Sequence, residues 1–341
     1  MDTIILRQPG RFELIDAPLP PPPAPGEALV RVRRVGICGT DWHAYHGRQP
    51  FFTYPRILGH ELGVEVLQIN DPRLPVRPGD RCAVEPYLHC GKCIACRAGK
   101  TNCCVALRVL GVHIDGGMRQ CLLVPADKLH KSETLSLDQL ALVETLAIGC
   151  HAVNRAAVQQ GEWVLVVGAG PIGLSAMPFV AEAGGHLIVA DVSPARLDFC
   201  RRWIGVQHCI DARQDLAAAL AEITCGDLPT LVLDATGNAQ SMARTFDCVA
   251  HGGRIVFVGL FQGELSFNDP DFHRREITLL ASRNAQSGDF SRIIDLIQRG
   301  RIDTRPWITH RAQHTQFVQT LPKWLAPDAG VLKAVVEFPA T

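Results

Sequence analysis

The sequence predicts an α/β protein in which a doubly wound parallel-sheet domain is inserted into an irregular, β-rich one. Three observations carry that expectation. From about residue 148 to residue 285, short apolar runs alternate with amphipathic stretches, and strands alternating with helices imply a parallel sheet covered on both faces. Before them, apolar and polar positions alternate between frequent Pro and Gly, as in short half-buried strands. After them, the tail ends in the apolar run LKAVVEF, and a lone strand needs a sheet to join. The expected division is 1–147 with 286–341 as one domain and 148–285 as the insertion.

Taken in order, IILRQPGRFELID and EALVRVRRVGI are strands on either side of a proline-rich surface turn, LPPPPAPG. GVEVLQI and RCAVEPY flank the turn PVRPGD, residues 85–110 form a polar cysteine-rich lobe, and MRQCLLVPADKLHKS is a further strand and turn. The texture changes near Leu137, where LDQLALVETLAIGCHAVNRAAV has apolar residues at helical spacing and makes one or two helices. WVLVVG, HLIVAD, HCIDA, TLVLDAT, RIVFVGL and ITLLAS then read as strands. Helices through LSAMPFVAEAG, ARLDFCRRWI, DLAAALAEIT and AQSMARTFDCVA separate the first five. The tail carries helices at FSRIIDLIQRG and TQFVQTLPKWL.

The 341 residues have a formal net charge of +0, so no electrostatic argument favours nucleic acid or a membrane surface as partner. No apolar run is long enough to cross a bilayer, and MDTIILRQPGRF lacks a basic flank before an apolar stretch. The expected location is the cytoplasm. There the thirteen cysteines suit metal ligation or burial better than disulfides.

The run VLVVGAGPIGL places Gly168, Gly170 and Gly173 in GxGxxG spacing after an apolar strand and at the opening of a helix. The first glycine permits the tight turn, the second lets backbone approach a pyrophosphate, and the third lets helix and strand pack closely. With Pro171 and Ile172 they form the expected phosphate turn of a dinucleotide site. Asp191 ends the next strand eighteen positions after Gly173, where a carboxylate accepts from the ribose hydroxyls and repels a 2′-phosphate, favouring NAD over NADP. Arg196 is a further candidate near that ribose. Thr236 in LDATG and Val258, Gly259 and Leu260 in FVGL end two later strands and are candidates for the rest of the cofactor crevice.

Cys90, Cys93, Cys96 and Cys104 have the spacing C-x2-C-x2-C-x7-C in a polar loop. Four thiolates so close in sequence suit a tetrahedral structural zinc with no open position; an iron–sulfur cluster is the alternative, and Cys103 competes as fourth ligand. A second set consists of Cys38 in GICGTDWH, His60 and Glu61 in GHELG, and Glu144 in LALVETLAIG. Thiolate, imidazole and carboxylate with an open position make a catalytic zinc site, which polarises an alcohol oxygen and lowers its pKa. Thr40 and His43 stand two and five residues after Cys38, placed to take the hydroxyl proton and pass it on.

Together these residues resemble the zinc-dependent medium-chain dehydrogenase/reductase family, over essentially the whole chain. The closest branch is that of the sorbitol and threonine dehydrogenases, whose catalytic zinc is held by cysteine, histidine and one or two glutamates. The resemblance implies a GroES-like catalytic zinc domain with an inserted Rossmann NAD-binding domain. It also implies two zinc ions per chain, NAD as cofactor, and Cys104 rather than Cys103 as the fourth lobe ligand. HAYHGRQPFFTYPRILGHE, TNCC, GVHIDGG and VGLFQGELSFNDPDFHRRE are most similar to bacterial L-galactonate 5-dehydrogenases. That implies oxidation of a secondary hydroxyl in a sugar acid or polyol. Arg48, Arg56 and Arg283 are candidate partners for a substrate carboxylate, and His46 and His113 for its hydroxyls. The alternatives are an L-threonine 3-dehydrogenase, a sorbitol- or galactitol-type enzyme, or a catalytically silent dinucleotide-binding regulator. The apolar edge ITLLAS (277–282) implies a homo-oligomer, a tetramer by resemblance and otherwise a dimer.

Overall fold

Strand pairing sorts the chain into two units, Met1–Glu144 with Gln286–Thr341, and Thr145–Ala285. They are seen in a computed structural model that describes residues 1–48, 52–326 and 328–339.

The second unit is built on six parallel strands. In sheet order they are His208–Asp211, His186–Asp191, Trp163–Val167, Leu231–Asp234, Arg254–Phe257 and Thr278–Ala281. Numbered along the chain this is 3-2-1-4-5-6, the doubly wound Rossmann order, with its switch point beside Trp163–Val167. Val164, Leu165 and Val166 are all fully buried, so successive residues on both faces are covered. Helices Pro171–Glu182, Pro194–Ile204, Leu216–Ile223 and Ala239–Arg244 follow the first four strands in the chain. The first two each open with proline, which has no amide proton to leave unsatisfied. The sequence does not suggest helix Asp269–Arg274, a single polar turn capped by Asn268. The last strand lies at the sheet edge, and its Leu279 is exposed.

The first unit holds a seven-stranded sheet. Ile308–Gln313, Lys333–Glu337, Glu27–Ile37, Glu61–Ile69, Arg81–Val84 and Leu129–Lys131 lie in that order, and Cys121–Pro125 pairs with Glu27–Ile37. Glu27–Ile37 carries much of the core, alternating Ala28, Val30 and Val32 inward before its fully covered end. The tail strand Lys333–Glu337 joins it antiparallel, pairing Ala334 with Ile37. Ile308–Gln313 (ITHRAQ) is a strand that the polar sequence conceals; as an edge it buries only Ala312 and lies beside Lys333–Glu337. The stretch after Leu137 forms one helix, Leu137–Ala156. It starts close against the sheet, because Gly63 has no side chain: a Cβ there would stand 2.2 Å from the Leu137 carbonyl oxygen.

In the second unit, Arg254 fastens the strand ends. Its guanidinium donates to both carboxylate oxygens of Glu162 at 2.7 Å and to the carbonyls of Ala156 and Ala157. Burial works against the Glu162 charge, but Arg254 and Thr230 outweigh it and hold the carboxyl below the usual range. A depressed folded pKa contributes stability above the unfolded value and loses it as pH falls through the folded one. Arg254→Met is therefore expected to cost about 2 kcal/mol at neutral pH. The gap to the parent should narrow as pH drops below the ordinary glutamate range, read from urea unfolding midpoints at several pH values.

Candidate active site

Three strand ends bring one group of side chains together. Glu27–Ile37 delivers Cys38 just past its last residue, Glu61 opens the neighbouring strand opposite Gly36, and Lys333 opens the tail strand. The donor atoms of Cys38, His60 and Glu61 all lie within 4.8 Å of one another, with His60 and Glu61 buried. Gly36 makes room for this, since a Cβ there would stand 2.0 Å from Glu61 Oε2. Glu144, from helix Leu137–Ala156, is not in that mutually close group. It is buried beside it, and its Oε1 accepts from the Tyr87 hydroxyl.

Cys38 also begins a helix that the sequence does not announce. GTDWHAY folds as Gly39–Tyr45, and its Asp41 carboxylate turns back to accept from the Cys38 amide at 2.9 Å. Thr40 and His43 therefore lie one helical turn apart, Thr40 half-buried and His43 exposed.

The group is strongly anionic. Burial opposes a charge on His60, yet Asp41, Cys38 and Glu144 raise its pKa well above the usual histidine value. Burial also raises the carboxyl groups of Asp41 and Glu144. Lys333 is buried, donates to both Glu61 oxygens at 2.6 Å and keeps a raised pKa. His60 Nδ1 and Asp41 Oδ1 are buried without a hydrogen-bond partner. A sulfur, an imidazole and a carboxylate oxygen this close together, with further acids beside them, form a donor set suited to zinc.

The sequence did not point to Lys333, Tyr87 or Asp41. Lysine opening an otherwise apolar strand is a usable signal, because a buried ammonium needs a carboxylate.

The four-cysteine lobe is equally well defined. The sulfurs of Cys90, Cys93, Cys96 and Cys104 lie within 4.8 Å of one another, and Cys103 is exposed outside the group. The Cys93 and Cys96 sulfurs are 3.5 Å apart, near the ~3.8 Å edge of a tetrahedral zinc–thiolate shell. Amides of Cys96 and Val105 point at Cys93 and lower its pKa, whereas burial raises that of its neighbour Cys96.

In the second unit the sequence-identified cofactor residues gather at the carboxyl ends of adjacent strands. Gly168 adopts φ +95°, and a Cβ on Gly173 would stand 1.7 Å from the Gly168 carbonyl oxygen. Both positions therefore need glycine, and Pro171 and Ile172 start the helix between them. Asp191 is buried and accepts from the amides of Ala169 at 2.6 Å and Ser193 at 2.7 Å, which fixes its carboxylate against the glycine turn. The Arg196 guanidinium stands 3.9 Å from Asp191 and would be 3.7 Å from a Cβ on Gly170. Thr236 donates to Asp234, while Val258 and Gly259 donate to the Asp234 carbonyl, so the ends of two further strands abut the same turn. Leu260 is exposed beyond them.

The residues proposed for substrate are less concentrated. Arg56 binds Asp115 at 3.0 Å and Thr53 at 2.7 Å, so its guanidinium already serves the surface. His113 Nδ1 accepts from the Val109 amide, and His46 Nδ1 donates to the Trp42 carbonyl. Arg48 is exposed just past helix Gly39–Tyr45, and Arg283 is exposed in the second unit.

Fold and site define a zinc-binding alcohol dehydrogenase. The chain belongs to this family: residues 24–134 match the alcohol dehydrogenase GroES-like domain and residues 171–299 the zinc-binding dehydrogenase domain. It is 40% identical to the L-galactonate-5-dehydrogenase of Escherichia coli K12, with 99% of both chains covered. It superimposes with a TM-score of 0.92 on the E. coli CFT073 alcohol dehydrogenase RspB complexed with NADH, at 29% identity and 99% coverage of each. A zinc-binding dehydrogenase of Sinorhizobium meliloti bound to NADP gives a TM-score of 0.91 at 28% identity and the same coverage. Curated relatives include dehydrogenases of sugar acids and polyols. Among the described residues, no helix is long and apolar enough to cross a membrane.

Gly36→Ala is expected to drive the Glu61 carboxylate out of place. Metal analysis of the purified variant should then find the zinc of the Cys38 group lost while the four-cysteine lobe keeps its own.

Proposed function

We propose that this chain oxidises a secondary hydroxyl of a sugar acid to the ketone with NAD as acceptor, and that L-galactonate is its substrate. One observation carries the reading. Cys38, His60 and Glu61 are gathered at the start of the helix bearing Thr40 and His43, in a chain 40% identical to an L-galactonate-5-dehydrogenase. Cys38, His60 and Glu61, with Glu144 beside them, would hold the catalytic zinc; Cys90, Cys93, Cys96 and Cys104 would hold the structural one.

When bound, zinc supplies a Lewis acid that makes the substrate hydroxyl more acidic, and the nicotinamide supplies a hydride acceptor. Thr40 relays the substrate hydroxyl proton, accepting it as it gives up its own toward His43, which lies one helical turn on, open to water, and hands a proton to solvent. Lys333 holds Glu61 in a single orientation through both of its oxygens. Gly168, Gly170 and Gly173, with Pro171 and Ile172, present backbone to the pyrophosphate. Asp191 accepts from the ribose diol and makes NAD the preferred form, with Arg196 at the same ribose. Thr236, Val258, Gly259 and Leu260 line the nicotinamide end. Arg48, Arg283 and His113 are the candidates for carboxylate and hydroxyl recognition, and Arg56 joins them only by giving up Asp115.

The chain acts in the cytoplasm as a homo-oligomer. Among the described residues, edge strand Thr278–Ala281 is paired on one side only and exposes Leu279, which supports pairing with a second copy. Leu280→Pro is expected to yield monomers at micromolar concentration where the parent sediments as a dimer or larger; a monomeric parent overturns this element.

The function is tested by following NADH production across sugar acids, alditols and L-threonine. L-Galactonate is expected to give the highest kcat/KM, and Cys38→Ser to abolish turnover. A best rate on L-threonine or an alditol would reassign the substrate, and full activity of Cys38→Ser would overturn the mechanism. Asp191→Ala should lower kcat/KM for NAD at least about tenfold while improving the ratio for NADP.

A further inference from the structure

We propose that Tyr87 is a positioning residue for the Cys38 metal group, acting through Glu144 and tying that group to the four-cysteine lobe; this rests on the zinc reading given above. The two carboxylates beside Cys38 and His60 are held by different chemistry. Glu61 has a lysine on both oxygens, whereas Glu144 receives the neutral Tyr87 hydroxyl on Oε1. Tyr87 and Glu144 are both buried, so water does not compete for that bond. A buried O–H on one carboxylate oxygen fixes the rotation of the group and thereby the direction of its other oxygen.

Tyr87 is itself held in place. Strand Tyr87–Leu88 pairs with Arg108–Val109, matching Tyr87 to Val109. Its ring meets Phe290 edge-on at 6.3 Å, and Phe290 stacks on His130 at 4.8 Å. His130 donates to Glu85 at 3.2 Å, and Glu85 also accepts from buried Lys128 and from Ser287. The two strands of this ribbon bracket Cys90 to Cys104 in the chain, and Cys90 comes three residues after Tyr87. The lobe fixes the ribbon, the ribbon fixes Tyr87, and Tyr87 fixes Glu144.

Tyr87→Phe removes the hydroxyl and keeps the ring that packs on Phe290. In the full-length zinc-loaded protein, competition with a chromophoric chelator measures zinc affinity outside the four-cysteine lobe. Cobalt(II) exchanged into the same site reports its ligand geometry through visible bands. Tyr87→Phe is expected to lower zinc affinity there about 10- to 100-fold and to shift the cobalt bands. On a Glu144→Leu background, which has no acceptor for the hydroxyl, the same change should alter affinity less than about 2-fold. Equal losses on both backgrounds, or unchanged affinity and cobalt bands, would overturn the proposal. A parent chain that takes up no zinc beyond the lobe would instead overturn the reading of the Cys38 site.

Discussion

Lys333 and Glu61 form an ion pair shut away from water, and the first unit is arranged around it. Breaking such a pair by removing one partner costs several kcal/mol, because the other charge stays buried. The partners stand 272 residues apart in the chain. The tail strand must therefore return to the sheet of the first module in one register, with Ala334 opposite Ile37, or leave Glu61 unpaired. Gly36 completes the constraint by leaving the space that the Glu61 carboxylate fills. Cys38, His60 and Asp41 then fall around the same point because they adjoin these strand ends.

This crowding of acids has a chemical consequence. Cys38, Asp41, Glu61 and Glu144 converge on His60 and Lys333, and although burial works against both cations, the neighbouring acids raise their pKa values. Acid, imidazole and sulfur donors gathered this closely suit a divalent cation, and the sulfur selects a soft one. The second unit answers a different demand by different means. Its glycine turn offers backbone amides and a helix N-terminus to an anion, and Asp191 is the acid placed next to it.

Much of the fold was legible because its signals are local. Strand–helix alternation from Trp163 onward marked the parallel sheet, and the GAGPIG turn marked its first crossover. The four cysteines of the lobe stand within fifteen residues and were visible by spacing alone. Less legible were elements whose identity depends on neighbours. Ile308–Gln313 is a polar edge strand defined by its partner, and Gly39–Tyr45 is a short helix opening on glycine and capped through Asp41. Arg56 looked available for substrate, but Asp115, 59 residues away, already engages it.

By itself, the sequence determined which side chains with metal, proton and phosphate chemistry the chain carries, and the periodicity of the elements bearing them. Both follow from residue type and from spacings shorter than one supersecondary unit. Only the tertiary structure decided how those side chains are partnered. It set Lys333 on Glu61 and Tyr87 on Glu144, kept Cys103 out of the lobe's sulfur group, and left Glu144 outside the closest donor group. Such choices depend on strand register and on which buried charge reaches a counter-charge first, and neither is written in any single stretch of the chain.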